Sequence, residues 1–271
     1  MKLDLVIQTE EHAVDMKSGL ETMAGASEAV RSIVEATLTD NVSERTYSTN
    51  KVRNKMMESF EGSYGVVFEV QVEDPELKRK MEKIGQATLG ELISYFISEA
   101  LYRDSEQLSE KAKKVLDGLS DENQSKLLDR LRRSPLQNAH AVPSTFGYEV
   151  KIRRHIGEDR RRELVSLDRE GKVNLSPRVN KQQIFLRACI TRLNINTGNG
   201  RLLLQGETDT VAFGFTSKYN EVRVAARKRF SENLNQNNGV HSDQWEYIDI
   251  TATTLRKKNG QIIKYLIAGF E

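Results

Sequence analysis

The chain is poor in the residues that usually announce a chemistry or a compartment. One cysteine and four histidines are scattered over 271 residues, which supplies neither a structural zinc site by local spacing nor a disulfide framework. Its longer apolar runs, such as residues 92–97, fall far short of the ~20 residues that span a bilayer. The first residues alternate like a strand and do not form a basic and then apolar leader. A soluble cytoplasmic protein is therefore expected, with no cofactor and no membrane partner. There is no internal repeat and no low-complexity tract. Hydrophobic residues at 38% and charged residues at 30% suit an ordinary core under a well-solvated surface.

Catalytic signatures are also scarce. Gly198-Asn199-Gly200 is followed by Arg201 and Leu202, not by the Lys-Ser/Thr of a phosphate loop, and reads as a two-residue hairpin turn. Neither Gly-x-Ser-x-Gly nor His-Glu-x-x-His occurs. Two weaker patterns remain. Glu149-Val150-Lys151 has the Glu-x-Lys spacing of metal-dependent nucleases, in which the carboxylate holds an ion and the lysine steadies the attacking water. No strand-borne aspartate is evident upstream, and alternating charge on the wet face of a strand accounts for the same residues. Arg133 and His140 have a spacing that resembles the Arg-to-His pair of a helical RNase family named for its occurrence in prokaryotes and eukaryotes, but Pro135 falls between them and would break the helix. Cys189, among apolar neighbours, reads as a buried inert thiol. His12 and His241 read as surface or loop residues.

What the chain has in quantity is charge, unevenly placed. Residues 1–150 hold 19 Lys+Arg against 26 Asp+Glu, and residues 151–271 hold 22 against 13. Such asymmetry points to a polyanion or an interface. The positive excess gathers in two places. Residues 151–181 carry Arg153, Arg154, Arg160, Arg161 and Arg162. A predicted helix over 218–236 carries Arg223, Arg227 and Lys228 off its apolar stripe, a spacing suited to phosphate. Phe213, Phe215 and Tyr219 lie nearby, and their spacing is better suited to filling a core than to stacking on bases. Pairing of the basic helix face with the acidic stretch 1–44 is an equally good reading of the charge.

Periodicity gives the layout. Residues 2–8 alternate as a strand, and residues 19–39 form an amphipathic helix with Leu20, Met23, Ser27, Val30, Val34 and Leu38 on one face. A polar segment, 40–54, leads to a turn at Gly62-Ser63-Tyr64-Gly65 and a strand over 66–72. Asp74-Pro75-Glu76 starts a helix, with a bend or break at Gly85 or Gly90 before residues 89–102, expected to be the most buried helix. Two shorter helices follow at 106–116 and 121–132, then a strand over 148–152. Residues 158–182 read as a basic linker between an acidic domain, 1–157, and a β-rich domain, 183–271. The latter runs strand-strand-strand-helix-strand-strand, the element order of an OB barrel. The fold class is α+β: a mixed N-terminal domain with a helical insert, and a C-terminal OB-like or SH3-like small barrel or curved sheet with one helix.

The layout, with its Gly62–Val70 segment and its closing Gly260-Gln261-Ile262-Ile263-Lys264-Tyr265 hairpin, resembles a loosely defined bacterial family whose members have no assigned function. The resemblance carries no catalytic or binding residue. It implies only a context, since such families often sit in accessory or phage-defence gene neighbourhoods. The expectation is a non-enzymatic binding or assembly subunit of a multi-protein system, contacting DNA, RNA or an acidic protein through Arg153, Arg154, Arg160, Arg161, Arg162, Arg223, Arg227 and Lys228. The rivals are a nuclease using Glu149 and Lys151, and a homo-oligomer that docks its acidic part on a neighbour's basic part.

Overall fold

A computed structural model describes residues 1–10, 13–43, 51–60, 64–157 and 160–270. The chain forms two compact units, Met1–Leu175 and Ser176–Glu271. The fold is α+β, with an open sheet in the first unit and a closed barrel in the second.

The first unit is a five-stranded antiparallel sheet with its helices on one face. β1 (Lys2–Ile7) lies at the centre, between β3 (Tyr64–Val72) and β4 (Val150–His155). β2 (Val52–Phe60) and β5 (Arg161–Leu167) are the edges. Strand alternation turns Leu3, Leu5 and Ile7 into the core and Asp4 and Val6 to the opposite face. α1 (Met16–Thr39) starts at Asp15, whose side chain accepts the Ser18 N–H at 2.8 Å. Every residue from 29 to 38 is buried, so α1 is the central helix of the core, a place expected for 89–102. Leu20, predicted on its apolar face, is 53% exposed.

α2 (Pro75–Ile84) begins where Asp74-Pro75-Glu76 predicts, with Asp74 accepting from Glu76 and Leu77 N–H. Gly85, at φ +83°, ends it and lets α3 (Gln86–Ala100) set off in a new direction. α4 (Glu110–Asp117) and α5 (Asp121–Arg133) follow, and Pro135 opens a further short helix, α6 (Pro135–Ala139), instead of only closing the last one. α7 (Ala141–Phe146) leads into β4.

Two sequence expectations are corrected here. The polar segment 40–54 runs into β2, whose side chains are mostly exposed; an edge strand with little to bury shows no alternation. The glycine turn before β3 falls partly on residues 61–63, outside the described residues. The supposed linker 158–182 is mostly structure. Leu164, Val165 and Leu167 are buried in β5, α8 (Arg169–Asn174) caps on Asp168, and the next strand begins at Arg178. The arginine triplet at its head hid that short apolar run. The basic 151–175 stretch thus belongs to the first unit, which carries 27 Lys+Arg against 31 Asp+Glu, and the second carries 14 against 8.

The second unit closes β6 (Arg178–Leu193), β7 (Gly200–Leu204), β8 (Thr210–Phe215), β9 (Ile248–Arg256) and β10 (Ile262–Phe270) into a barrel in the order β10-β8-β7-β6-β9. The long first strand pairs with both β7 and β9, and parallel pairing of β8 with β10 seals the ring. This is the Greek-key connectivity of an OB barrel. One helical turn, Tyr219–Glu221, precedes α9 (Val224–Asn237). α9 therefore starts later than residue 218, after Arg223 and without a side-chain cap. The β6–β7 connection is also longer than predicted. Leu193 pairs with Gly200, and residues 194–199 form a loop held by Asn194 Oδ1, which accepts from Asn196 and Thr197 N–H at 2.9 and 3.2 Å.

Candidate nucleic-acid interface

Arginines adjacent in sequence go to opposite faces of the first sheet. Arg153 and Arg161 turn to the face without helices, and Arg154 and Arg162 turn to the helical side, because successive strand residues alternate. On the open face Arg153 meets Asp4 in two bonds, Nε to Oδ1 at 2.8 Å and Nη2 to Oδ2 at 3.1 Å. Arg161 Nε lies 3.4 Å from Oδ2, and His155 Nε2 lies 3.2 Å from it without hydrogen-bond geometry. Asp4 is 1% exposed. His155 is held below its ordinary pKa by burial and by Arg161, against the pull of Asp4. Arg153 and Arg161 therefore share one acid, 149 residues away from Arg153 in sequence. Arg160 is exposed, and its carbonyl accepts the Ile156 N–H at 2.9 Å.

Asp4 is also the strand-borne aspartate that the sequence did not reveal beside Glu149-x-Lys151. Both its oxygens face guanidinium and imidazole groups. Lys151 Nζ lies 3.0 Å from Glu163 and 3.6 Å from Glu149, and the Glu163 hydrogen bond raises its pKa. Glu149 also accepts from the Ser166 hydroxyl. Among the described residues no group of three His, Cys, Asp or Glu side chains is placed to hold a metal ion.

His140 and Arg133 do not meet at a surface. Arg133 is exposed, and His140 is fully buried against α8. His140 Nδ1–H donates to the Leu136 carbonyl at 2.7 Å, while Nε2 has no partner and faces Gly171, where a Cβ would come within 2.4 Å of it. Burial lowers the His140 pKa to about 4, opposed by the Leu136 bond and aided by the charges of Arg103 and Lys172. Cys189 is buried and its thiol is pushed up by burial. His241 is exposed beside Asp243, 2.6 Å away; His12 lies outside the described residues.

In the barrel the aromatics of β8, α9 and β10 form the core, whereas Phe185 on β6 is 84% exposed. Phe213 and Phe230 are fully buried; Phe215 packs on Phe213, Phe230 and Tyr219 at centroid distances of 5.2–6.2 Å, and Phe270 closes on Phe230. Tyr219 is 9% exposed. Base stacking on these rings is therefore not on offer. The α9 cations are differently placed. Arg227 sits 5.6 Å above the Tyr219 ring, its Nε buried without a hydrogen-bond partner. Arg227 and Lys228 line a shallow cavity of about 450 Å³ with Ile195 of the 194–199 loop, Val224, Ser231 and Glu232. Ile195 is 68% and Val224 57% exposed. Arg223, just before α9, is exposed. None of Arg223, Arg227 and Lys228 makes an ion pair among the described residues.

Two further cations sit on the outer face of β7, β8 and β10 and were missed. Arg201 donates to Thr210 Oγ1 at 2.8 Å, and Lys264 Nζ donates to Asn199 Oδ1 at 2.6 Å. Their alternation with Leu202 and Tyr265, which point inward, was the available signal. Among the described residues no helix is long and apolar enough to cross a membrane. Comparison with protein-family models, curated proteins and solved structures gives no match to this chain. The functional reading therefore rests on geometry.

Proposed function

We propose that the protein is a non-enzymatic binding subunit whose barrel contacts the phosphate backbone of a nucleic acid, with Arg227 and Lys228 at the centre of the contact. The observation that carries this reading is the cavity beside α9. Two cations that make no ion pair among the described residues flank exposed Ile195 and Val224, on a unit with 14 Lys+Arg against 8 Asp+Glu. Guanidinium and ammonium groups so placed release counterions when they meet phosphate. Lys264, on the face of the second and third barrel strands and their neighbour, adds positive charge there, whereas Arg201 is 8% exposed and held by Thr210. That face and its loops hold oligonucleotides in other OB barrels, which supports the reading by analogy of fold alone.

With Phe213, Phe215, Tyr219, Phe230 and Phe270 committed to the core, the cavity beside α9 offers contacts to phosphates and not to bases. Binding should be largely indifferent to sequence. A subunit of this kind would bring an assembly to nucleic acid, in a reducing cytoplasm that suits a lone buried thiol.

Fluorescence anisotropy with labelled single- and double-stranded DNA and RNA tests the proposal. We expect binding at low salt that weakens steeply as salt rises. The Arg227→Gln, Lys228→Gln double variant should lower the slope of log affinity against log salt by roughly 1–2. No binding of any of these probes at low salt, or an unchanged slope in the double variant, overturns it. Capture of an acidic protein in place of nucleic acid would then assign the same cations to a carboxylate partner.

A further inference from the structure

On the helical side of the first sheet, Arg154 and Arg162 stand directly opposite each other on β4 and β5. Like charges in that position repel across ~5 Å. The pairing is produced by a bulge. Ile152 faces Val165, but Arg153 faces Glu163, so Leu164 is the extra residue. A regular ladder, with Leu164 paired to Arg153, would set Arg154 opposite Glu163, an attractive pair. Bulges of this kind re-aim side chains, and here the result is two guanidiniums side by side.

The two arginines line a cavity of about 350 Å³ between β4–β5, α3 and residues 105–109, a size that suits a small molecule. Gly90 brings the α3 backbone onto Arg154, since a Cβ there would lie 3.4 Å from its Nε and 3.2 Å from Leu164. The acids of the cavity wall are already engaged. Glu91 accepts the Ser109 N–H at 2.8 Å, Glu106 pairs with Arg162 at 3.0 Å, and Glu163 pairs with Lys151 at 3.0 Å. Arg154 has no ion pair among the described residues, and its Nε is buried without a hydrogen-bond partner. Burial and Arg162 together lower its pKa, more than Glu91 raises it.

We propose that this cavity binds the phosphate group of a small phosphorylated molecule, bridged between Arg154 and Arg162. A dianion at that point satisfies the orphaned Nε, offsets the repulsion between the two guanidiniums and accepts bidentate bonds from each. Ser94, also on the wall, is placed to add a hydroxyl. Glu106, 84% exposed, is the group that the ligand displaces from Arg162. The site lies wholly within the first unit and does not depend on nucleic-acid binding by the barrel.

Isothermal titration calorimetry with inorganic phosphate, AMP and adenosine tests it. Phosphate and AMP should bind and adenosine should not. Arg154→Gln should weaken AMP about tenfold or more, the loss of one charge-assisted contact. Glu106→Gln, on an exposed side chain, should tighten AMP several-fold by freeing Arg162, an effect that misfolding does not mimic. The Arg227→Gln, Lys228→Gln variant should bind AMP as the parent does. The proposal is overturned if neither phosphate nor AMP binds, if adenosine binds as well as AMP, if Arg154→Gln leaves AMP affinity unchanged, if Glu106→Gln fails to tighten it, or if the barrel variant abolishes it.

Discussion

In the first unit Arg153, Arg161 and Arg162 of the clustered arginines find an acid, whereas the α9 cations of the barrel find none among the described residues. Arg31, 4% exposed in the middle of α1, is gripped by Glu28 through two bonds of 2.7 and 2.9 Å and by Glu35. Arg130 of α5 joins the same Glu28. Burial disfavours the charged Arg31, but the two acids outweigh it and its pKa lies above the ordinary value. Arg153 and Arg161 are held in the same way by Asp4. The barrel instead is stabilised by rings packed on rings, and Arg223 and Lys228 beside its helix stay exposed. Paired charges inside the first unit act on its stability and uniqueness; unpaired ones on the barrel are free to act on a partner. Arg154 and Arg160 are exceptions among the described residues, and the half-buried Arg154 gives the first unit a site of its own.

The sharpest way to break this contrast is to remove a buried cation. Arg31→Leu takes the guanidinium from buried Glu35, while Arg130 still holds Glu28, and should cost about 3–5 kcal/mol in urea unfolding, with Glu35→Met in addition restoring part of it. A loss under about 1 kcal/mol would mean that the network is ornamental.

Acid should come next. His140 has a folded pKa near 4 against an ordinary value of 6.5, so the unfolded chain binds the proton more readily. The stability it contributes is fully present above about pH 6.5 and is lost as pH falls toward 4, about 3 kcal/mol in all. His140→Asn should flatten unfolding free energy against pH across that window, and an unchanged slope would show that other groups carry it. The smallest effect belongs to the barrel. Arg227→Gln with Lys228→Gln should change stability by about 0.5 kcal/mol or less. A larger loss in thermal melts would make these cations part of the packing and remove the contrast.

Much of the local structure is legible along the chain. Asp74-Pro75 starts α2, Gly85 ends it, and period-two runs mark β8, β9 and β10. The β-β-β-α-β-β order announces the barrel, and Phe213 and Phe215 at alternate positions announce its core. These features depend on neighbours within a few residues, where capping, backbone freedom and alternation act. The exposed edge strand β2 buries too little to leave a pattern, and β5 hides its apolar end behind Arg160-Arg161-Arg162. The candidate cations could be enumerated from composition, but their fates could not.

The sequence by itself therefore determined most of the segments that fold, outside β2 and β5, and where positive charge accumulates, since these follow from composition and short-range periodicity. Only the tertiary structure decided which arginines are spent and which are available. That choice depends on Asp4 reaching Arg153 across the centre of the sheet and on one extra residue, Leu164, shifting a strand register. Charge acts over a few ångströms in space, and distance along the chain does not measure that separation.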